Sequence, residues 1–160
     1  MKERILKILE NNGNLTVKQL AVLLDVSEDT VRDEISRMKK EGVILGFNTV
    51  IDWEKTERQL VNALIEVKVH PKKERGFDEV AERISSLEQV TGCYLMSGGF
   101  DLTVMVEGKD FKEIAMFVAE KLAVIDGVLS TSTHFVLKKY KDGGVHFVNK
   151  VQDDREAIVL

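Results

Sequence analysis

Apolar side chains recur at helical spacing up to Gly42 and alternate with polar ones from Val61 onward, so this chain cannot form one uniform layer. Two domains of different construction follow. In the first, Ile5, Ile8 and Leu9 share one face of a helix that ends at Asn11-Asn12-Gly13-Asn14. Thr16 and Gln19 form a capping box opening a second helix, which buries Leu20, Ala21 and Leu24. After a tight break at Asp25-Val26, Ser27 caps a third helix, where Val31, Ile35 and Met38 recur at i, i+4 and i+7 and Gly42 stands at the C-terminal cap. Val43 to Ile51 is rich in β-formers and reads as an extended strand leading out of this small domain.

Residues 52–60 are polar and charged and read as a linker, with Trp53 placed to anchor the two domains. Val61, Ala63, Ile65, Val67 and Val69 then alternate in a strand that stops at Pro71, the only proline. Phe77, Val80, Ala81, Ile84 and Leu87 stripe one helix; Phe111, Ile114, Ala115, Val118 and Leu122 stripe another, opened by Asp110 with Glu113. Between them lie strands at about Val90 to Ser97 and Asp101 to Glu107, joined across Gly98-Gly99, which suits a tight hairpin turn. A last strand runs from Val128 to Lys139. The order βαββαβ is the ferredoxin-like arrangement, two helices on one face of a four-stranded antiparallel sheet. Neither side of the last strand is strongly polar, so the face without helices calls for a partner subunit. Boundaries of 1–51, 52–60, 61–140 and 141–160 result, the final segment holding a short strand at Val145 to Val148 and a mobile tail.

Charge narrows the function. The chain carries 23 basic and 27 acidic residues, but residues 1–50 hold eight of each, so the excess negative charge lies wholly in the second part. No apolar run approaches the roughly 18 residues that span a membrane, and the N-terminus enters an amphipathic helix without a signal region. With Cys93 as the single cysteine, a disulfide framework and a thiolate metal cluster are excluded, and a reducing cytoplasm is expected. His70, His134 and His146 are scattered, with no carboxylate or cysteine at ligand spacing, so neither metal nor cofactor is expected. Cys93 reads as a small core residue and His134 as an interface or strand residue.

The collinear set Ile5 to Leu9, Leu15-Thr16, Gln19 to Ala21, Val26-Ser27, Thr30-Val31, Glu41 to Ile44 with Gly46, Tyr94 to Asp101, and Gly127 through Leu137 resembles the Lrp/AsnC family of transcription regulators over about residues 2 to 140. The fold class implied is α+β, a winged-type helix-turn-helix domain followed by a ferredoxin-like effector-binding and oligomerisation domain. The resemblance implies double-stranded DNA as partner, an amino acid as small-molecule effector, and homodimers assembling into tetramers or octamers. One departure bears on affinity. The family's pair of basic residues in the middle of the recognition helix is replaced here by Asp33 and Glu34, and Ser27 to Glu41 carries four basic against five acidic residues, so weak or salt-sensitive binding is expected.

On the third helix Arg32 can donate two hydrogen bonds to guanine, Ser36 can reach a base or phosphate, and Glu28 and Asp29 can accept only from a cytosine amino group. Lys18, Arg37, Lys39 and Lys40 are candidates for phosphates, and Thr16, Ser27, Thr30 and Asp33 complete the candidate surface. A solvated face with pairs such as Asp33–Arg37 fits the same residues. At Ser97-Gly98-Gly99-Phe100-Asp101 the glycines admit a ligand carboxylate close to backbone N–H groups, and Asp101 can hold an α-ammonium group. The resemblance adds the hydroxyls of Thr131 and Thr133. A plain turn, with Asp101 satisfying its backbone, fits too. Three functions compete: a DNA-binding regulator, a ligand-sensing protein that has lost DNA binding, and, remotely, a tetrapyrrole (siroheme) decarboxylase of similar architecture. The enzyme needs histidines and arginines around a large pocket, whereas Arg75 and Arg83 both fall in the first helix region of the sheet domain, so no catalytic residue is assigned.

Overall fold

A computed structural model describes residues 1–71 and 75–147, and the chain divides into two compact units, Met1–Val50 and Ile51–Leu160. Unit one holds α1 (Lys2–Asn11), α2 (Val17–Leu24) and α3 (Glu28–Lys40). Their inner faces are those the sequence marks: Ile5, Leu9, Leu20, Ala21, Leu24, Val31 and Met38 are buried together, with Ile8 and Ile35 packed against them. Between α2 and α3 the chain reverses at Asp25, whose φ of 56° lies in the left-handed region that a short polar side chain tolerates. The Val26 N–H reaches back to the Ala21 carbonyl, closing α2. Gly42 takes the same role after α3, at φ 70°, with the Val43 N–H on the Met38 carbonyl.

Past Gly42 the expected strand is not formed. Residues 43–51 have no ladder partner among the described residues; Ile44 packs against the core of unit one, while others such as Leu45, at 93% exposure, stay outside.

Unit two opens with a 3₁₀ turn at Trp53–Lys55 and continues as β1 (Val61–Val69), α4 (Asp78–Ser85), β2 (Val90–Leu95), β3 (Leu102–Gly108), α5 (Phe111–Phe117), a π turn at Val118–Leu122, and β4 (Val128–Phe135). The sheet order is β2-β3-β1-β4, antiparallel throughout, as the ferredoxin-like arrangement requires. Ala63, Ile65, Val67, Leu102, Val104 and Val106 form a dry layer against Val80, Ile84, Ile114, Phe117 and Leu122. Leu64, Glu66, Met105 and His134 stand on the face that no helix covers; Leu64 is opposite both Met105 and His134.

Three expectations need correction. In α5 the buried aromatic is Phe117, while Ala115 and Phe111 are exposed. The π turn explains it: with the Ala123 N–H on the Val118 carbonyl, five residues rather than four separate Phe117 from Leu122 on the same face. β4 ends at Phe135, not Lys139: its ladder with β1 closes at Ala63–Phe135, two residues short of the start of β1, and one further bond, from the Val136 N–H to the Asn62 carbonyl, ends the pairing. Gly98-Gly99 does not close a two-residue hairpin; six residues, Met96 to Asp101, connect β2 to β3. After β4 a short hairpin pairs β5 (Lys141–Asp142) with β6 (Val145–His146). The expected tail, and the last residue of the strand expected to reach Val148, lie outside the described residues.

Candidate functional site

On unit one, α3 presents its first two turns and its outer stripe to solvent. Ser27 accepts the Thr30 N–H at 3.2 Å and meets the Thr30 hydroxyl at 2.8 Å, so both side chains serve first as a cap. Thr16 and Gln19 complete the capping box of α2 in both directions, at 3.2 and 2.8 Å. Arg32 lies beside two acids, 2.5 Å from Asp29 and 3.9 Å from Glu28. Arg37 turns to Glu34 at 2.7 Å and Glu41 at 3.8 Å. The expected Asp33–Arg37 pair is therefore absent, because positions 34, 37 and 41 form one stripe and offer Arg37 two carboxylates. Asp33 and Ser36 are exposed. Lys18 and Lys40 have no ion-pair partner among the described residues, and Lys39 sits 5.3 Å above the Phe47 ring. Of the candidate cations, those without an ion pair among the described residues thus lie at the C-terminal end of α3 and the start of α2; Arg4 and Lys7 of α1 also have none.

In unit two, Asp101 ties the 96–101 loop to the end of β1. Its carboxylate accepts the Val69 N–H at 2.8 Å, its N–H reaches the Val67 carbonyl, and its carbonyl accepts the Met96 N–H. Asp101 therefore holds the turn, whatever else it meets. Gly98 and Gly99 have negative φ, and a Cβ built on either would touch nothing within 4 Å, so neither conformation nor packing within this chain explains them. Tyr94, Leu95 and Met96, an apolar run that carries part of the family resemblance but no assigned site role, stand exposed at the start of the loop. Thr131 faces Val67 across the β1–β4 ladder and Thr133 faces Ile65, which puts both on the helix-covered face. Thr131 shares the sheet end of the loop; Thr133 lies one pair further in. Neither hydroxyl has a hydrogen-bond partner among the described residues. Cys93 is half-buried against the core, and burial pushes its thiol up from the ordinary range, away from nucleophilic character. No group of three or more histidine, cysteine or carboxylate side chains among the described residues is arranged to hold a metal.

The pattern of the Lrp/AsnC ligand binding domain matches residues 62–145, and that of a winged helix-turn-helix DNA-binding domain matches residues 1–44. The chain belongs to the Lrp/AsnC family. It is 42% identical over 157 residues to the helix-turn-helix transcriptional regulator YugG of Bacillus subtilis, covering 98% of this chain and 93% of that one. Two solved structures share the fold. AsnC of E. coli has a TM-score of 0.65 at 22% identity, over 86% of this chain and 91% of its own. A Neisseria meningitidis regulator solved in complex with L-methionine has a TM-score of 0.70 at 22% identity, over 88% and 90%. The chain is thus an Lrp/AsnC-type helix-turn-helix transcriptional regulator with a ligand-binding domain. No described helix is long and apolar enough to cross a membrane.

Proposed function

We propose that this regulator works in the cytoplasm, without catalysing a reaction, and reads duplex DNA with α3. Arg32 and Ser36 contact base edges, and Lys18, Arg37, Lys39 and Lys40 hold phosphates. The observation that carries this reading is the exposed outer stripe of α3, which places Arg32 near the end that enters a major groove and leaves Lys39 and Lys40 unmatched by acid at the other. The ion pairs do not defeat it. An exposed pair such as Arg32–Asp29 contributes about 0–1 kcal/mol, whereas a bidentate arginine–guanine contact is worth about 1–3 kcal/mol, so Arg32 gains by exchanging partners. The acidic groups Glu28, Asp29 and Asp33 remain near the phosphates and lower the affinity, while the few cation–phosphate contacts make binding fall further as salt rises.

An amino-acid effector meets the Ser97 to Asp101 loop. Two glycines that the chain's own geometry does not require support this, as does the L-methionine complex of the Neisseria regulator. Because Asp101 is spent partly on Val69, its free oxygen and the backbone N–H groups of Gly98 and Gly99 are the groups left to face an ammonium and a carboxylate. The half-apolar open sheet face pairs two copies, and dimers assemble further. Selection of bound duplexes from a random pool, with and without each amino acid, tests the whole reading. A recovered motif whose strength or spacing changes with one amino acid is expected; a pool that never departs from random would refute DNA reading and leave a sensing role.

A further inference from the structure

At the opposite end of β1 from the glycine loop, roughly 20 Å along the strand, unit two contains a cavity of about 560 Å³. Four separate stretches wall it: 51–62, 109–111, 136–139 and Phe147. The β5–β6 hairpin brings the last of these into place, its return sealed by the Phe147 N–H on the Tyr140 carbonyl. The wall has two properties that the core does not explain. Its rings include Trp53, Phe147 and Phe111, and Phe111 stays 55% exposed, touching Phe135 edge-on at 4.8 Å. Its charges are also unbalanced. Asp52 is paired with Lys55, Asp110 caps α5 through the Glu113 N–H, and Lys139 is paired with Asp142. Three cations, Arg58, Lys109 and Lys138, then face two acids, Glu54 and Asp110, and none of the three has a carboxylate in ion-pair range among the described residues.

Arg58 lies over the Trp53 ring at 4.6 Å and Lys138 over Tyr140 at 5.2 Å. A guanidinium stacked this way keeps its edge N–H donors for a carboxylate. The volume is that of a small-molecule site, and an excess of donors around flat apolar walls selects a ligand with a ring and a negative charge.

We propose that this cavity is a second ligand site, distinct from the glycine loop, for a small aryl carboxylate whose ring meets Phe111 and Trp53 and whose charge meets Arg58, Lys109 and Lys138. The site stands independently of the amino-acid reading at the loop.

Trp53, the only tryptophan, reports on it directly. Titration of the full chain with phenylacetate is expected to give a saturable change in Trp53 fluorescence, with phenylethanol (uncharged) and cyclohexylacetate (no flat ring) much weaker. Phe111→Ala and Lys138→Ala, both at exposed positions, are each expected to weaken binding about tenfold, the size of one aromatic or charged contact. Asp101→Ala is expected to leave the curve unchanged. The proposal is overturned by the absence of saturation up to about 10 mM, the weak limit of specific small-ligand binding. Indifference to both cavity variants, or loss of the signal in Asp101→Ala, overturns it as well.

Discussion

Arg32 sits at the balance between two uses of one charge. With Asp29 at 2.5 Å it is an internal ion pair; with a guanine in the groove it is a specificity contact. Arg32→Ala is therefore expected to relax preference at one base position while sparing the rest of the site. Lys39→Ala is expected to weaken all sequences alike and lower the salt slope by about one, as read by binding to a mutated-operator panel. Equal, sequence-blind losses in both variants would contradict the assignment. At Cys93, burial raises the thiol and so favours its neutral form in the fold. The unfolded thiol ionises near its ordinary value of about 8.5, so this contribution to stability is fully present below that pH and is lost as pH rises through the higher native value. Alkylation by iodoacetamide at pH 8 should be slower in the native chain than in urea; equal rates would show that the thiol is not shielded. Some residue detail was legible: Thr16, Gln19 and Ser27 cap where spacing says. The partner of Arg37 was not, because acids at 33, 34 and 41 are all within helical reach and only side-chain direction chooses among them.

Among the elements, α1 to α3 and β1 were readable because each buries one periodic face, and β2, β3 and β4 because runs of β-formers lie between turn residues. What periodicity missed was irregular geometry. A π turn moved the inward position from Ala115 to Phe117, and β4 left its ladder at Phe135 although β1 extends two residues further. The glycine pair suggested the shortest hairpin, whereas the Asp101 carboxylate, by anchoring to Val69 in another strand, sustains a six-residue loop that local sequence cannot reveal. Gly127, by contrast, is demanded by the fold itself. It has φ 98°, its carbonyl accepts the His70 N–H at 2.8 Å, and a Cβ there would lie 2.9 Å from Val80. Gly127→Ala is expected to lower stability by about 1–3 kcal/mol, combining left-handed strain with a clash. A shifted urea midpoint checks it, and an unchanged midpoint would contradict this description of the α5–β4 turn.

For the molecule as a whole, the change of period at residues 43–60 announced two units, and their order carried the family resemblance that the comparisons bear out. Assembly was legible only as an unfinished surface. The open sheet face places half-buried Leu64 opposite half-buried Met105, with His134 3.5 Å from Glu66 nearby, an apolar centre with a polar margin. If copies meet there, Met105→Glu should lower the sedimenting mass toward a single chain while far-ultraviolet dichroism stays native; an unchanged mass would place the contact elsewhere. The central claim concerns the head, which has no net charge yet must hold a polyanion through a few placed cations. It is tested most directly by measuring the affinity of the full chain for its selected duplex across salt concentrations. The account predicts a straight, steep fall of log K with log salt that loses about two units of slope when Lys39 and Lys40 are both changed to alanine. No binding at about 50 mM salt, or a slope those two lysines do not alter, would contradict it.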